Sequence, residues 1–230
     1  MDDSAPTDAS LHYALVHHLV DYGYVPSHAQ LSDLFRVDLD AMTRALRQLE
    51  AYHGVVLHPH VPEVWVIHPF ATAPTSFAVR QGERTWWGNC AWCSLGIAAL
   101  LGGNAITIHT SLGAEGTPVT IHVDHHRVRE DLVVHFPVPM SRAWDNVLYT
   151  CSTMLVFERE TDIAVWSKKH ALPHGDAQPI QRVYDFARVW YGRHLDKNWR
   201  KWTTEEARRI FERFGFRGPI WELPGTDERF

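Results

Sequence analysis

Apolar residues recur at helical spacing three times within the first fifty positions. Leu11, Leu15, Leu19 and Val20 follow the candidate caps Asp8 and Ser10 at i, i+4, i+8, and Gly23 ends the run. A second helix is predicted from Pro26-Ser27 through Leu31, Leu34 and Phe35. A third starts near Asp38, carries Leu39, Met42, Leu46 and Leu49 on one face, and stops around Gly54. Residues 55–57 and 64–67 then read as short strands around a turn containing His58-Pro59-His60 and Pro62. Three helices followed by a two-stranded ribbon is a winged-helix pattern. Residues 71–80, with Pro74 and several small residues, read as a linker, so two domains are expected: 1–80, winged-helix-like, and 81–230.

The second segment mixes periods. A helix over 90–101 has Asn89 as its expected N-cap and Gly102-Gly103 as its stop. Strands are predicted at 105–109, 119–123 and 132–136, whereas 145–156 fits helix and strand equally well. A helix over 183–195 buries Phe186, Val189 and Trp190, and Thr203-Thr204-Glu205-Glu206 is a capping box for a last helix that Gly215 ends. Strands and helices do not alternate regularly, so the fold class expected is α+β.

Composition narrows the function. The 230 residues are 45% apolar and 21% charged with a net charge of −5, which excludes a disordered chain and disfavours a polyanion binder. Residues 1–80 carry four basic side chains against nine acidic ones, so the N-terminal unit is expected to pack or act as a lid rather than read nucleic acid. Residues 188–217 are basic and are expected to pair with that acidic unit. The apolar stretches are too short to cross a bilayer, and the acidic start MDDSAPTDAS fits no export signal; a cytoplasmic protein with free thiols is expected.

Those thiols carry the chemistry. Cys90 and Cys93 lie three apart, on one face of the first turn of a predicted helix, where the dipole favours a thiolate. The pair suits a nucleophile, a redox couple, or half of a zinc site completed by Cys151 and a histidine; packing in the core is the plainest fate of a buried cysteine. His58, His60 and His68 around the wing, and His122, His125 and His126 at a strand end, lack further ligands at a known spacing and are expected to be structural. Trp86, Trp87 and Trp92 crowd the cysteine helix as core or as walls of an apolar pocket.

The segment Ala91-Trp92-Cys93-Ser94-Leu95, the later Gly116-Thr117-Pro118-Val119, Cys151, and, fifteen residues beyond it, Trp166-Ser167-Lys168-Lys169-His170 together resemble the alkylmercury (organomercurial) lyase family. Gly192-Arg193-His194-Leu195 resembles that family's last helix, and the likeness spans roughly residues 84–197. It implies a mixed α/β core behind an N-terminal winged-helix-like domain, and cleavage of a carbon–mercury bond by two thiolates and a carboxylic acid. By position Cys93 is the attacking thiolate and Cys151 the second ligand. The acid, three residues after the first cysteine, falls on Gly96. In a second register Cys93 itself stands at the acid position behind Cys90; either way Cys90 is the surplus thiol, an auxiliary ligand or proton source. Glu115, Asp145 and Glu158 are other candidate acids, each expected to be a surface charge. The resemblance implies no organic cofactor, mercury(II) as bound product, a small organometallic substrate, and small thiols as mercury acceptors. The alternatives are a soft-metal or organometal binding protein without lyase activity, and a structural zinc-site protein.

Overall fold

A computed structural model describes residues 5–223; the first four residues of the acidic N-terminal stretch lie outside them. Helices α1 (Asp8–Tyr22), α2 (His28–Phe35) and α3 (Leu39–Ala51) start behind Thr7, Ser27 and Asp38, whose side chains each accept a backbone N–H of the first turn. Gly23 closes α1 at φ 83°, a left-handed cap that glycine adopts without strain. The buried faces of the three helices, Leu11, Leu15, Leu19, Leu31, Met42, Leu46 and Leu49, form one end of the core.

The ribbon β1 (Val56–Leu57) and β2 (Val64–Ile67) is not a free wing. Beyond it come β3 (Phe70–Ala71), β4 (Ala78–Gln81) and β5 (Arg84–Gly88), and after helix α4 (Ala91–Leu100) come β6 (Ile106–Ser111), β7 (Pro118–Asp124) and β8 (Arg127–Val128). All pair antiparallel in one eight-stranded sheet of order β1-β2-β3-β5-β4-β6-β7-β8. The expected linker at 71–80 therefore begins and ends in strand, and the sheet runs unbroken across residue 80. Alternation was hidden there because the β4–β5 hairpin turns tightly on Gly82 and pairs Ala78 with Trp87 and Gln81 with Arg84.

A second sheet pairs β9 (Val133–Phe136) with β10 (Val156–Phe157) and β11 (Asp176–Pro179). Between its strands lie α5 (Val147–Thr153) and α6 (Glu160–His170), and the ambiguous stretch 145–156 is thus a helix running into a strand. Helix α7 (Ile180–Tyr191) packs against α4, and α8 (Thr204–Arg213) begins with the expected capping box of Thr203 and Glu206. None of the described helices is long and apolar enough to cross a membrane.

The N-terminal helices dock by rings and hydrogen bonds. Trp86 Nε1 donates to Leu19 O at 2.7 Å, His17 Nε2 lies 3.2 Å from Leu195 O, and His12 stacks on Trp199 with ring centroids 3.5 Å apart. Within the basic C-terminal stretch, Arg193–Asp196, Arg200–Glu206 and Arg209–Glu205 are local pairs.

This docking makes stability depend on acid. Burial, with the nearby His68 charge, lowers His194 to a pKa of about 3, and burial beside His194 lowers His12 as well. Both rings are neutral in the fold but titrate near 6.5 when unfolded, so their stabilisation is complete above pH 6.5 and declines as pH falls toward the folded values. His194 alone is expected to cost about 2 kcal/mol by pH 5. Urea unfolding at pH 7.5 and pH 5 checks this, and His194→Gln should flatten the difference.

Candidate thiol and metal site

Three separate segments converge at the N-terminus of α4. Strand β5 runs directly into the helix because Gly88 has no side chain: a Cβ there would lie 2.0 Å from Ser94 Oγ. The helix is then capped by Cys90, not by Asn89 as expected. Cys90 Sγ accepts the backbone N–H of Cys93 at 3.2 Å. Asn89 is instead held toward the β2–β3 turn, its backbone N–H donating to Pro69 O at 3.3 Å and its amide to His68 Nε2 at 3.3 Å. The N–H of Ala91 donates to Met154 O at 3.0 Å, which ties the end of α5, and with it Cys151, to the first turn of α4.

Cys90, Cys93 and Cys151 are thus brought together, all reduced and buried. Ligand atoms of His68, Cys93 and Cys151 lie within 4.8 Å of one another, the one such convergence among the described residues. Cys151 Sγ is 3.6 Å from His68 Nε2, and Cys93 Sγ is 3.5 Å from the Tyr191 hydroxyl. These groups border a cavity of about 80 Å³ walled by Trp92, Met140, Trp144, Met154 and Trp190. Trp92, stacked on Phe186 at 4.8 Å, joins cavity wall and core.

The thiols are not equivalent. Burial pushes Cys93 upward, but hydrogen bonds from Cys151 and Cys90, the His68 charge and the Tyr191 hydroxyl outweigh it, so Cys93 sits well below the ordinary cysteine range. Burial raises Cys90, and donation to the other two sulfurs, together with burial, raises Cys151. One thiolate is therefore surrounded by two thiols and a phenol that donate to it. Burial lowers His68 while the neighbouring Cys93 opposes that shift, and its Nε2 faces Cys151 and the Asn89 amide.

The remaining candidates fall elsewhere. Glu115 is exposed and pairs with Lys169 and His170, Asp145 pairs with Arg142 on the surface, and Glu158 is exposed. His58 and His60 are exposed beside Trp65, and His122 bonds Glu130 at 2.7 Å. His170 pairs with Glu115 at 3.0 Å and packs on Trp166. Two residues not expected there stand at the thiols. The sequence places His68 with the wing histidines, although its position just before Pro69 and the cysteine-bearing strand–helix unit is a faint signal. Tyr191 gives none.

Gly96 faces Tyr191. A Cβ on Gly96 would lie 2.3 Å from Tyr191 Cδ2 and 2.6 Å from Cε2, so the aromatic ring fills the space over the position where the resemblance expects an acid. An aspartate does not fit there without displacing that ring.

Comparison with known proteins adds the context for this site. No curated protein matches the chain. Among solved structures, the mercury-bound form of MerB2 superposes with a TM-score of 0.63 at 15% identity, covering 84% of this chain and 94% of that one, which establishes a shared fold. The family model for alkylmercury lyase (MerB) matches residues 70–192, more than half of the chain and including all three cysteines. On that match, the chain belongs to the alkylmercury lyase family.

Proposed function

We propose that this protein cleaves the carbon–mercury bond of a small organomercurial, with Cys93 as the attacking thiolate and Cys151 as the second sulfur ligand. The observation that carries the reading is the convergence of Cys93, Cys151 and His68 within 4.8 Å at an apolar cavity. A soft cation is selected by thiolates over oxygen donors, and apolar walls suit the organic group attached to it. Cys93 is charged before substrate arrives and captures the mercurial; Cys151 joins as its proton leaves. Cys90, at the helix cap, is an auxiliary donor that holds the Cys93 backbone and supports the thiolate. Mercury(II) remains on the two sulfurs until small thiols in solution remove it, and no organic cofactor enters the scheme.

A second reading has its own support. His68, Cys93 and Cys151 are three donors of the kind that hold zinc, with Cys90 beside them at the helix cap but outside the converging set. A resident zinc or a soft-metal store would use the same atoms without chemistry. Protein purified without added metal is therefore assayed for zinc, then incubated with ethylmercury and excess small thiol while released ethane is measured. We expect substoichiometric zinc and ethane over several turnovers. Stoichiometric zinc with no ethane would assign the site to metal binding.

A further inference from the structure

We propose that the Tyr191 hydroxyl is the proton donor of the cleavage step, standing in for the carboxylic acid that Gly96 cannot supply. This rests on the lyase reading. Three observations support it. The Tyr191 hydroxyl is the protein O–H group placed against the Cys93 sulfur, at 3.5 Å. The tyrosine is 2% exposed, so bulk water does not compete for its proton at the thiolate. Its ring lies across Gly96 at a separation that only a glycine permits. The missing side chain of α4 and the added hydroxyl of α7 are two halves of one arrangement. Position 96 lacks both an acid and a Cβ, and the ring that takes the space carries an O–H to the nucleophile.

Chemically the exchange balances. An alkylmercury cation bound to the Cys93 thiolate has its carbon beside the Tyr191 hydroxyl. The electron pair of the mercury–carbon bond takes the phenolic proton, forming a C–H bond and releasing the hydrocarbon. Mercury stays divalent and gains the Cys151 sulfur as its second thiolate. The proton that Cys151 gives up returns the tyrosinate to tyrosine, so no oxidant, reductant or external acid is consumed. The buried phenol keeps its proton at the site until the strongly basic carbon develops. Cys90 is the competing donor. Its sulfur is engaged with the backbone N–H of Cys93 at the cap.

The test is single-turnover cleavage of ethylmercury by full-length protein, with ethane measured by gas chromatography and the protein adduct by mass spectrometry. Tyr191→Phe keeps the ring over Gly96 and removes only the hydroxyl. We expect an intact ethylmercury adduct, an unchanged melting temperature and ethane release slowed about 10²–10⁴-fold, the usual worth of a positioned acid. Incorporation of a fluorotyrosine at position 191 preserves shape and strengthens the acid, and should speed release. Wild-type rates in Tyr191→Phe, no response to fluorination, or abolition of cleavage by Cys90→Ser alone would each overturn the assignment while leaving the lyase reading intact. A wild-type protein that forms the adduct but releases no ethane would overturn both, and is told apart by that blank.

Discussion

Cys93→Ala is expected to abolish ethane release from ethylmercury, with a loss on the order of 10⁴-fold or more, because it removes both the charged nucleophile and a soft ligand. Cys151→Ala should separate the two events. Cys93 remains to capture the mercurial, so a one-to-one adduct forms, but the second sulfur that would hold mercury as the carbon leaves is gone and the adduct persists uncleaved. The pH dependence of capture reports on the same thiolate. A free cysteine loses about tenfold in thiolate per pH unit below its ordinary pKa near 8.5. Cys93 sits well below that range, so capture by wild type should stay flat from pH 8.5 to below pH 7. Stopped-flow measurement of adduct formation checks this, and a tenfold fall between pH 8 and pH 7 would mean that Cys93 is an ordinary thiol.

How far the sequence revealed this site depended on how local each signal was. Caps and stops are written within four residues of each other, so Gly23, Ser27, Asp38 and the Thr203–Glu206 box marked the helices where they occur. Cys93 and Cys151 were legible through motif order rather than through any periodicity. Asn89 is a better cap by type than cysteine, yet tertiary demand from His68 and Pro69 recruits it elsewhere and the cap of α4 falls on Cys90. His68 stands in the sequence only among the wing histidines, and Tyr191 carries no signal. One reaches the thiols from the β2–β3 turn and the other from the end of a helix 98 positions after Cys93. Nothing in the local pattern encodes such a meeting. The unbroken sheet across residue 80 escaped for a similar reason, since β3 is only two residues long and gives no alternation to read.

Gly96 offers the sharpest physical test of the packing on which these arguments depend. In an ordinary helix interior, replacing glycine by alanine stabilises by about 1 kcal/mol through backbone entropy alone. At position 96 the added Cβ would lie 2.3 Å from a ring carbon of Tyr191, which is itself fully buried between α4 and α7 and cannot swing into solvent. Overpacking of this kind costs typically 1–3 kcal/mol, so the sign of the substitution should invert. Gly96→Ala is expected to lower stability. Gly96→Asp is expected to lower it further, by roughly 3 kcal/mol or more, because a carboxylate is then added to a buried site already holding a thiolate. For a chain of this size that corresponds to a fall in melting temperature of about 6–12 °C. Restoring the family's acid at Gly96 should therefore fail to speed cleavage as a single change. Pairing it with Tyr191→Ala removes the obstructing ring and should recover much of the lost stability. Calorimetry of the four proteins decides the matter. If Gly96→Asp melts with wild type, the ring does not lie over position 96 as described, and the coupling between the missing acid and the tyrosine fails with it.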